Sequence, residues 1–172
     1  MNKYFLSFLI SLTTITTISL SNFTHADEAK NCSASDCVEL AISLLTQSCN
    51  THGKGEACAL ISQALYDGLG MDKNLSSSLQ YSAKGCEDVA EPNGASCNLA
   101  GLDYDDGIIV DLDEAKAHSY YLKGCKLNNS DACWNAAYNY EYGTGVSESA
   151  KLSQKFYRKA CELGDEDACE EL

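Results

Sequence analysis

Cys133-Trp134-Asn135-Ala136-Ala137-Tyr138-Asn139-Tyr140-Glu141-Tyr142-Gly143-Thr144-Gly145-Val146, closed ten residues later by Phe156-Tyr157-Arg158-Lys159-Ala160-Cys161, decides the architecture of this 172-residue chain. The same register starts at Cys58 and closes with Tyr81-Ser82-Ala83-Lys84-Gly85-Cys86, and starts again at Cys97 and closes with Tyr120-Tyr121-Leu122-Lys123-Gly124-Cys125. Cysteines therefore return in pairs, Cys49/Cys58, Cys86/Cys97, Cys125/Cys133 and Cys161/Cys169; the first members step by 37, 39 and 36 residues and the second by 39, 36 and 36. A period near 36 that carries its own cross-link predicts an all-α solenoid of antiparallel helical hairpins, each fastened to the next by a disulfide.

Each unit follows one physical grammar. The spacing predicts a first helix opening at the cysteine, with a small residue four later (Ser62, Gly101, Ala137) and a Leu or Tyr seven later (Leu65, Tyr104, Tyr140). Glycine ten after the cysteine (Gly68, Gly107, Gly143) stops that helix, because the position after a helix end favours φ > 0. A second helix is expected to begin near Asp72, Asp111 and Ser147, where polar caps and acidic first turns suit a helix N-terminus. Residues four apart share a helix face, so the small positions admit a neighbouring backbone and the aromatics at Tyr104, Tyr120 and Tyr140 fill the remaining space. Asp36 to Cys49 matches a second helix without its partner, a half-repeat cap, and Asp167 to Leu172 matches only the start of a first helix.

The N-terminus reads as an export signal: Lys3, an apolar stretch from Phe5 to Leu20, and Thr24-His25-Ala26 with small residues at −3 and −1. The apolar run is shorter than the ~20 residues of a membrane span and is diluted by threonines. The expected organisation is a signal peptide over 1–26, a capping segment and half-repeat helix over 27–56, and repeats with a truncated C-terminal cap over 57–172. The expected location is secreted or periplasmic, with no membrane contact after cleavage. All ten cysteines lie beyond residue 26, and an oxidising compartment keeps such an even set paired. Cys32 and Cys37 remain once the four repeat pairs are assigned, and are expected to pair with each other. Each short loop so closed is worth roughly 2–3 kcal/mol in the chain-entropy account. No C-x-x-C redox spacing occurs, and zinc would need thiolates that such a compartment removes.

The formal net charge of −13 argues against nucleic acid and anionic membrane surfaces. The acidic run around Asp103, Asp105, Asp106, Gly107, Asp111, Asp113 and Glu114 fails an EF-hand register, since Gly107 falls at loop position 5 when Asp103 is position 1. It reads as a helix end, a turn and an acidic first turn; no metal and no cofactor is expected. His52 and His118 are isolated in sequence, and His118 is expected at the surface or in a groove. Asn98 and Asn135, near the starts of first helices, are candidates to offer amides to a peptide backbone. Tyr138 and Tyr142 join them as groove candidates, and Tyr121 and Tyr157 are left open between core and groove.

The repeated Lys-[Gly/Ala]-Cys…Cys module and the hairpin register resemble the Sel1-like repeat, a tetratricopeptide-type hairpin. With the paired cysteines, residues 36–172 are similar to the Helicobacter cysteine-rich protein family. Departures are Ile109 in place of the second loop glycine and the insert around Glu91-Pro92-Asn93-Gly94 that lengthens the 86/97 spacing. The resemblance implies a protein- or peptide-binding groove and, for some members, slow β-lactamase activity on a β-lactam or the peptidoglycan fragment it mimics. No residue carries that chemistry over by motif. There is no Ser-x-x-Lys, no Lys-Thr-Gly, no Ser-Asp-Asn and no Gly-x-Ser-x-Gly; Ser119 and Ser147 have Lys123 and Lys151 four later, one residue out of register. The reading at this level is therefore a disulfide-stapled binding protein, with β-lactam hydrolysis as the alternative resting on resemblance alone.

Overall fold

The computed structural model describes residues 34–172, with side chains from residue 37 onward. The expected signal peptide and Cys32 lie outside the described residues. Eight helices are described: α1 (Ala34–His52), α2 (Gly55–Asp67), α3 (Leu75–Glu87), α4 (Gly94–Asp106), α5 (Glu114–Lys126), α6 (Ser130–Tyr142), α7 (Ala150–Glu162) and α8 (Glu166–Glu170). Residues 38–172 form one compact unit. Pairs α2–α3, α4–α5 and α6–α7 are antiparallel hairpins, and each second helix also packs on the first helix of the next hairpin. The fold is the expected all-α hairpin solenoid.

The helix starts need correcting on both sides of the hairpin. First helices open three residues before the cysteine, because Asn93 and Asn129 cap them: the Asn93 side chain accepts from the N–H groups of Ala95 and Ser96, and that of Asn129 from Ala132. Each cysteine thus sits in the first turn rather than at the start. Second helices open later than expected, at Leu75, Glu114 and Ala150, capped by Asn74, Asp113 and Ser149. The delay has a backbone cause. The N–H of each of these caps donates to the carbonyl of the residue seven after the cysteine, Leu65, Tyr104 or Tyr140, at 2.9, 3.0 and 2.7 Å. That bond ties the loop shut, so the residues before it cannot be helical.

Gly68, Gly107 and Gly143 end the first helices in the left-handed conformation, at φ 74°, 65° and 72°. The second loop glycine behaves differently between repeats. Gly70 and Gly145 are also left-handed and pressed against the preceding second helix, where a Cβ would meet Val38 or the Glu114 backbone at 2.0 and 2.2 Å. Ile109 stands at that position in the middle loop and is not left-handed. There the Asp106 side chain takes the Ile108 N–H at 2.8 Å, and Ile108 and Leu112 are left exposed.

Four disulfides sit at the joints, Cys49–Cys58, Cys86–Cys97, Cys125–Cys133 and Cys161–Cys169, with Cα–Cα distances of 4.9, 4.7, 4.5 and 4.8 Å. Cys37 is disulfide-bonded as well; its expected partner is the Cys32 outside the described residues. The small residue before each joint has a reason. A Cβ on Gly85 would meet Ser96 Oγ at 2.3 Å, and one on Gly124 would meet Ala132 Cβ at 2.6 Å. The lysine before it reaches back to the end of the previous second helix. Lys84 donates to Asn50 Oδ1 at 2.7 Å and Lys123 pairs with Glu87. Residue 126 is itself a lysine and cannot accept, so Lys159 donates instead to the Cys125 carbonyl at 2.6 Å. All three lysines lie at a helix C-terminus, where cations are favoured, and Lys159 satisfies a C-terminal carbonyl directly. The insert before α4 is also used: its backbone exchanges hydrogen bonds with the preceding joint, Gly55 N–H to the Glu91 carbonyl at 2.9 Å and Glu91 N–H to the Gly53 carbonyl at 3.0 Å.

Candidate functional site: the inner face of the first helices

Consecutive first helices α2, α4 and α6 touch one another, whereas consecutive second helices approach less closely. The first helices therefore line the inside of the stack, as in other solenoids. On this inner face the positions one, five and nine after the cysteine lie on one stripe of a 3.6-residue helix. In α2 they are Ala59, Gln63 and Asp67, in α4 Asn98, Leu102 and Asp106, and in α6 Trp134, Tyr138 and Tyr142. The stripe holds no aromatic in α2 or α4 and three in α6.

The α6 stripe is continuous. Trp134 and Tyr138 are stacked with ring centres 5.5 Å apart, and Tyr138 and Tyr142 follow at 4.5 Å. Tyr138 is 42% and Tyr142 61% exposed. Tyr121 and Tyr157 go the other way, into the core. Tyr121 packs its ring where a Cβ on Gly101 would come within 2.5 Å, which is why that position is glycine. Their hydroxyls donate to the carboxylates eight after the cysteine, Tyr121 to Asp105 at 3.2 Å and Tyr157 to Glu141 at 2.8 Å. Burial pushes the Tyr157 phenol well above its ordinary range, and the hydrogen bond to Glu141 adds to the rise. The aromatics at Tyr104/Tyr120 and Tyr140/Phe156 stack in pairs at 5.8 and 5.6 Å, as packing residues.

Asn98 and Asn135 are brought together although they stand one and two residues after their cysteines. Asn135 Nδ2 donates to Asn98 Oδ1 at 2.9 Å. Asn98 keeps its own NH2, and Asn135 its carbonyl oxygen, without a hydrogen bond among the described residues. Beside Asn135 lies an open cleft of about 270 Å³, lined by Asp131, Trp134, Asn135, Asp165 and Asp167. Sequence reasoning missed Trp134 and the three aspartates. The signal was there in Trp134: the aligned residues Ala59 and Asn98 are smaller, so the repeat itself does not require an indole at that position.

His118 lies in the core rather than at the surface or in a groove. It is 5% exposed, on α5 with its ring edge-on to Tyr140 at 4.7 Å, and neither ring nitrogen has a hydrogen-bond partner among the described residues. Burial holds its pKa below the ordinary value, so it is a neutral core residue and not part of the groove. The acidic run is dispersed among structural tasks. Asp103 is buried and accepts from Ser82 Oγ at 3.3 Å, Asp105 serves Tyr121, Asp106 takes the Ile108 N–H, and Asp113 caps α5. Burial raises the Asp103 carboxyl to about 6, against the lowering effect of the Ser82 hydrogen bond and with Asp106 adding to the rise. The serines flagged by their neighbouring lysines are not activated. Ser119 Oγ donates to the Lys116 carbonyl at 2.7 Å while Lys123 is engaged by Glu87, and Ser147 makes no hydrogen bond to a lysine.

The family model for the Sel1 repeat matches residues 55–88, 94–129 and 130–165, one match per hairpin. The chain belongs to the Sel1 repeat family. Among solved structures, this Sel1 repeat protein is similar to Helicobacter pylori cysteine-rich protein B, at 31% identity and a TM-score of 0.63, over 81% of this chain and 98% of that one. A Sel1 repeat protein from Oxalobacter formigenes matches at 23% identity and a TM-score of 0.68, over 76% and 96% of the two chains. The protective antigen c5321 of uropathogenic Escherichia coli strains, which displays the same repeat fold, matches at 20% identity and a TM-score of 0.66, over 79% of this chain and 27% of that one. The last two likenesses concern the fold alone. No curated protein matches the sequence. Sel1 repeats commonly mediate protein–protein interaction.

Proposed function

We propose that this Sel1 repeat protein is an exported interaction module whose inner face receives an extended peptide segment of a partner protein, in the periplasm or outside the cell. The observation that carries the reading is the coincidence on one face of unused amide groups and exposed rings. Asn98, nearly buried, and Asn135, half-buried, keep an NH2 and a carbonyl oxygen without a hydrogen bond among the described residues, beside the Trp134–Tyr138–Tyr142 stripe. Amide groups of this kind match the alternating donors and acceptors of a peptide backbone, and large aromatics hold its side chains. Export is supported by the oxidised cysteines, since disulfides persist where thiols are not kept reduced.

The test is selection of random linear peptides, displayed on phage, against the oxidised repeat domain. Selected peptides should bind the parent protein and lose at least tenfold in affinity to Tyr138→Ser, while Arg158→Gln on a second helix leaves binding unchanged. Peptides that bind all three proteins equally would contradict the assignment of the face.

A further inference from the structure

The two helical layers differ in charge as well as in position. The inner helices α2, α4, α6 and α8 contain no lysine or arginine, and each carries two or three carboxylates. Among the described helices, lysine and arginine lie on the second helices α3, α5 and α7. The exposed aromatic stripe of α6 runs through the acidic layer and is flanked by carboxylates at both ends. Asp131, Asp165 and Asp167 share the cleft with Trp134, and at the far end Glu141 and, more weakly, Glu171 act on the exposed Tyr142 phenol. The cleft lies near the first turns of α6 and α8, whose dipoles oppose a cation with at most about half a charge each. Three carboxylates outweigh them. About 270 Å³ is below the roughly 300–1,000 Å³ of pockets that enclose small molecules, and suits a single side chain approached from one side. An indole is the best aromatic partner for a cation.

We propose that the partner segment is basic, with a lysine or arginine head seated on Trp134 among Asp131, Asp165 and Asp167 as its backbone passes the Asn98–Asn135 pair. This rests on the peptide-groove reading above and names the chemistry of the ligand. The opposite charges of the two sides would make binding weaken with salt.

Trp134 is the single tryptophan of the chain, so its emission reports the cleft directly. The probes are acetyl-Gly-Arg-Gly-amide and the same tripeptide with citrulline, which keeps the shape and removes the charge. The arginine probe should change Trp134 emission saturably, at least tenfold more tightly than the citrulline probe and more weakly at 300 mM than at 20 mM salt. Asp131→Asn with Asp167→Asn should weaken it at least fivefold; both residues are exposed, and Asp165 is left intact because it caps α8. Equal binding of the two probes to the unmutated protein overturns the proposal without depending on any variant. The two readings fail separately. Phage-selected peptides without enrichment in lysine or arginine, together with equal probes, would remove the cation site and leave the groove. A charge-selective Trp134 response with no selectable peptide would remove the groove and leave the cation site.

Discussion

The first hairpin, α2–α3, and the third, α6–α7, are built from thirteen-residue helices with the same left-handed glycine stop, yet they join their two helices through different side chains. In the first, Ser62 and Ser78 clasp each other: Ser62 Oγ donates to the Ser78 carbonyl at 3.0 Å and Ser78 Oγ to the Ser62 carbonyl at 2.8 Å. In the third, Tyr157 is buried against Trp134, Tyr140 stacks on Phe156, and the Tyr157 hydroxyl is held by Glu141. The repeat therefore fixes where a side chain sits and how much room it has, not what it is made of. The same comparison separates packing from function. The first hairpin closes with Ala59, Gln63 and Asp67 on its inner stripe, so Trp134, Tyr138 and Tyr142 on the third exceed what hairpin formation requires.

The largest difference should appear on truncating the interiors. Tyr157→Ala is expected to cost about 3–5 kcal/mol, as for other buried aromatics, whereas Ser78→Ala is expected to cost about 1–2 kcal/mol for a lost reciprocal hydrogen bond. Urea unfolding of the oxidised proteins followed by far-ultraviolet circular dichroism measures both, and equal losses would break the contrast. Replacing Cys125 and Cys133 together by serine should cost about 2–3 kcal/mol by the same measurement. A loss below about 1 kcal/mol would mean that the joints hold without their staples.

The position six after the cysteine is Asp103 in the second hairpin and Asn139 in the third. A carboxyl raised by burial favours the protonated, folded form. Its contribution to stability is fully present below the unfolded value of 3.8 and is lost as pH rises through about 6. Asp103→Asn should therefore stabilise the protein by about 1–3 kcal/mol at pH 7.5 and by close to nothing at pH 4. His118 works in the opposite sense, since a buried neutral imidazole loses its contribution on acidification. The effect of Asp103 is accordingly read as the difference between variant and parent at each pH. The smallest expected change in stability, within about 0.5 kcal/mol, belongs to the exposed Tyr138→Ser and Tyr142→Ser. Their effect should fall on peptide affinity instead, and a variant that loses stability without losing binding would return these rings to the core.

The cysteine period made the hairpins, the joints and the staple pairing legible, because cross-links and small residues are imposed by backbone approach. Helix starts were misplaced by about a turn: the caps Asn93, Asn129, Asn74 and Asp113 were readable, but the bond from each second-helix cap to the carbonyl at Leu65, Tyr104 or Tyr140 crosses a loop and leaves no local mark. His118 could not be placed, since an imidazole on a polar-looking helix gives no sign of the Tyr140 ring that covers it. The candidate groove residues were partly legible. Asn98 and Asn135 were picked out separately, and their pairing depends on the offset between α4 and α6. The cleft was not legible, because Asp131, Asp165 and Asp167 read as ordinary cap and first-turn acids until two helices set them around Trp134.

The proposed binding face is the inner layer of first helices. Backbone amide shifts of the isotopically labelled, oxidised protein, measured on titration with a phage-selected peptide, test it most directly. Shifts should concentrate in α4, α6 and α8, with the indole N–H of Trp134 among the largest. Shifts confined to the second helices α3, α5 and α7, or to the exposed Ile108–Leu112 loop, would contradict it.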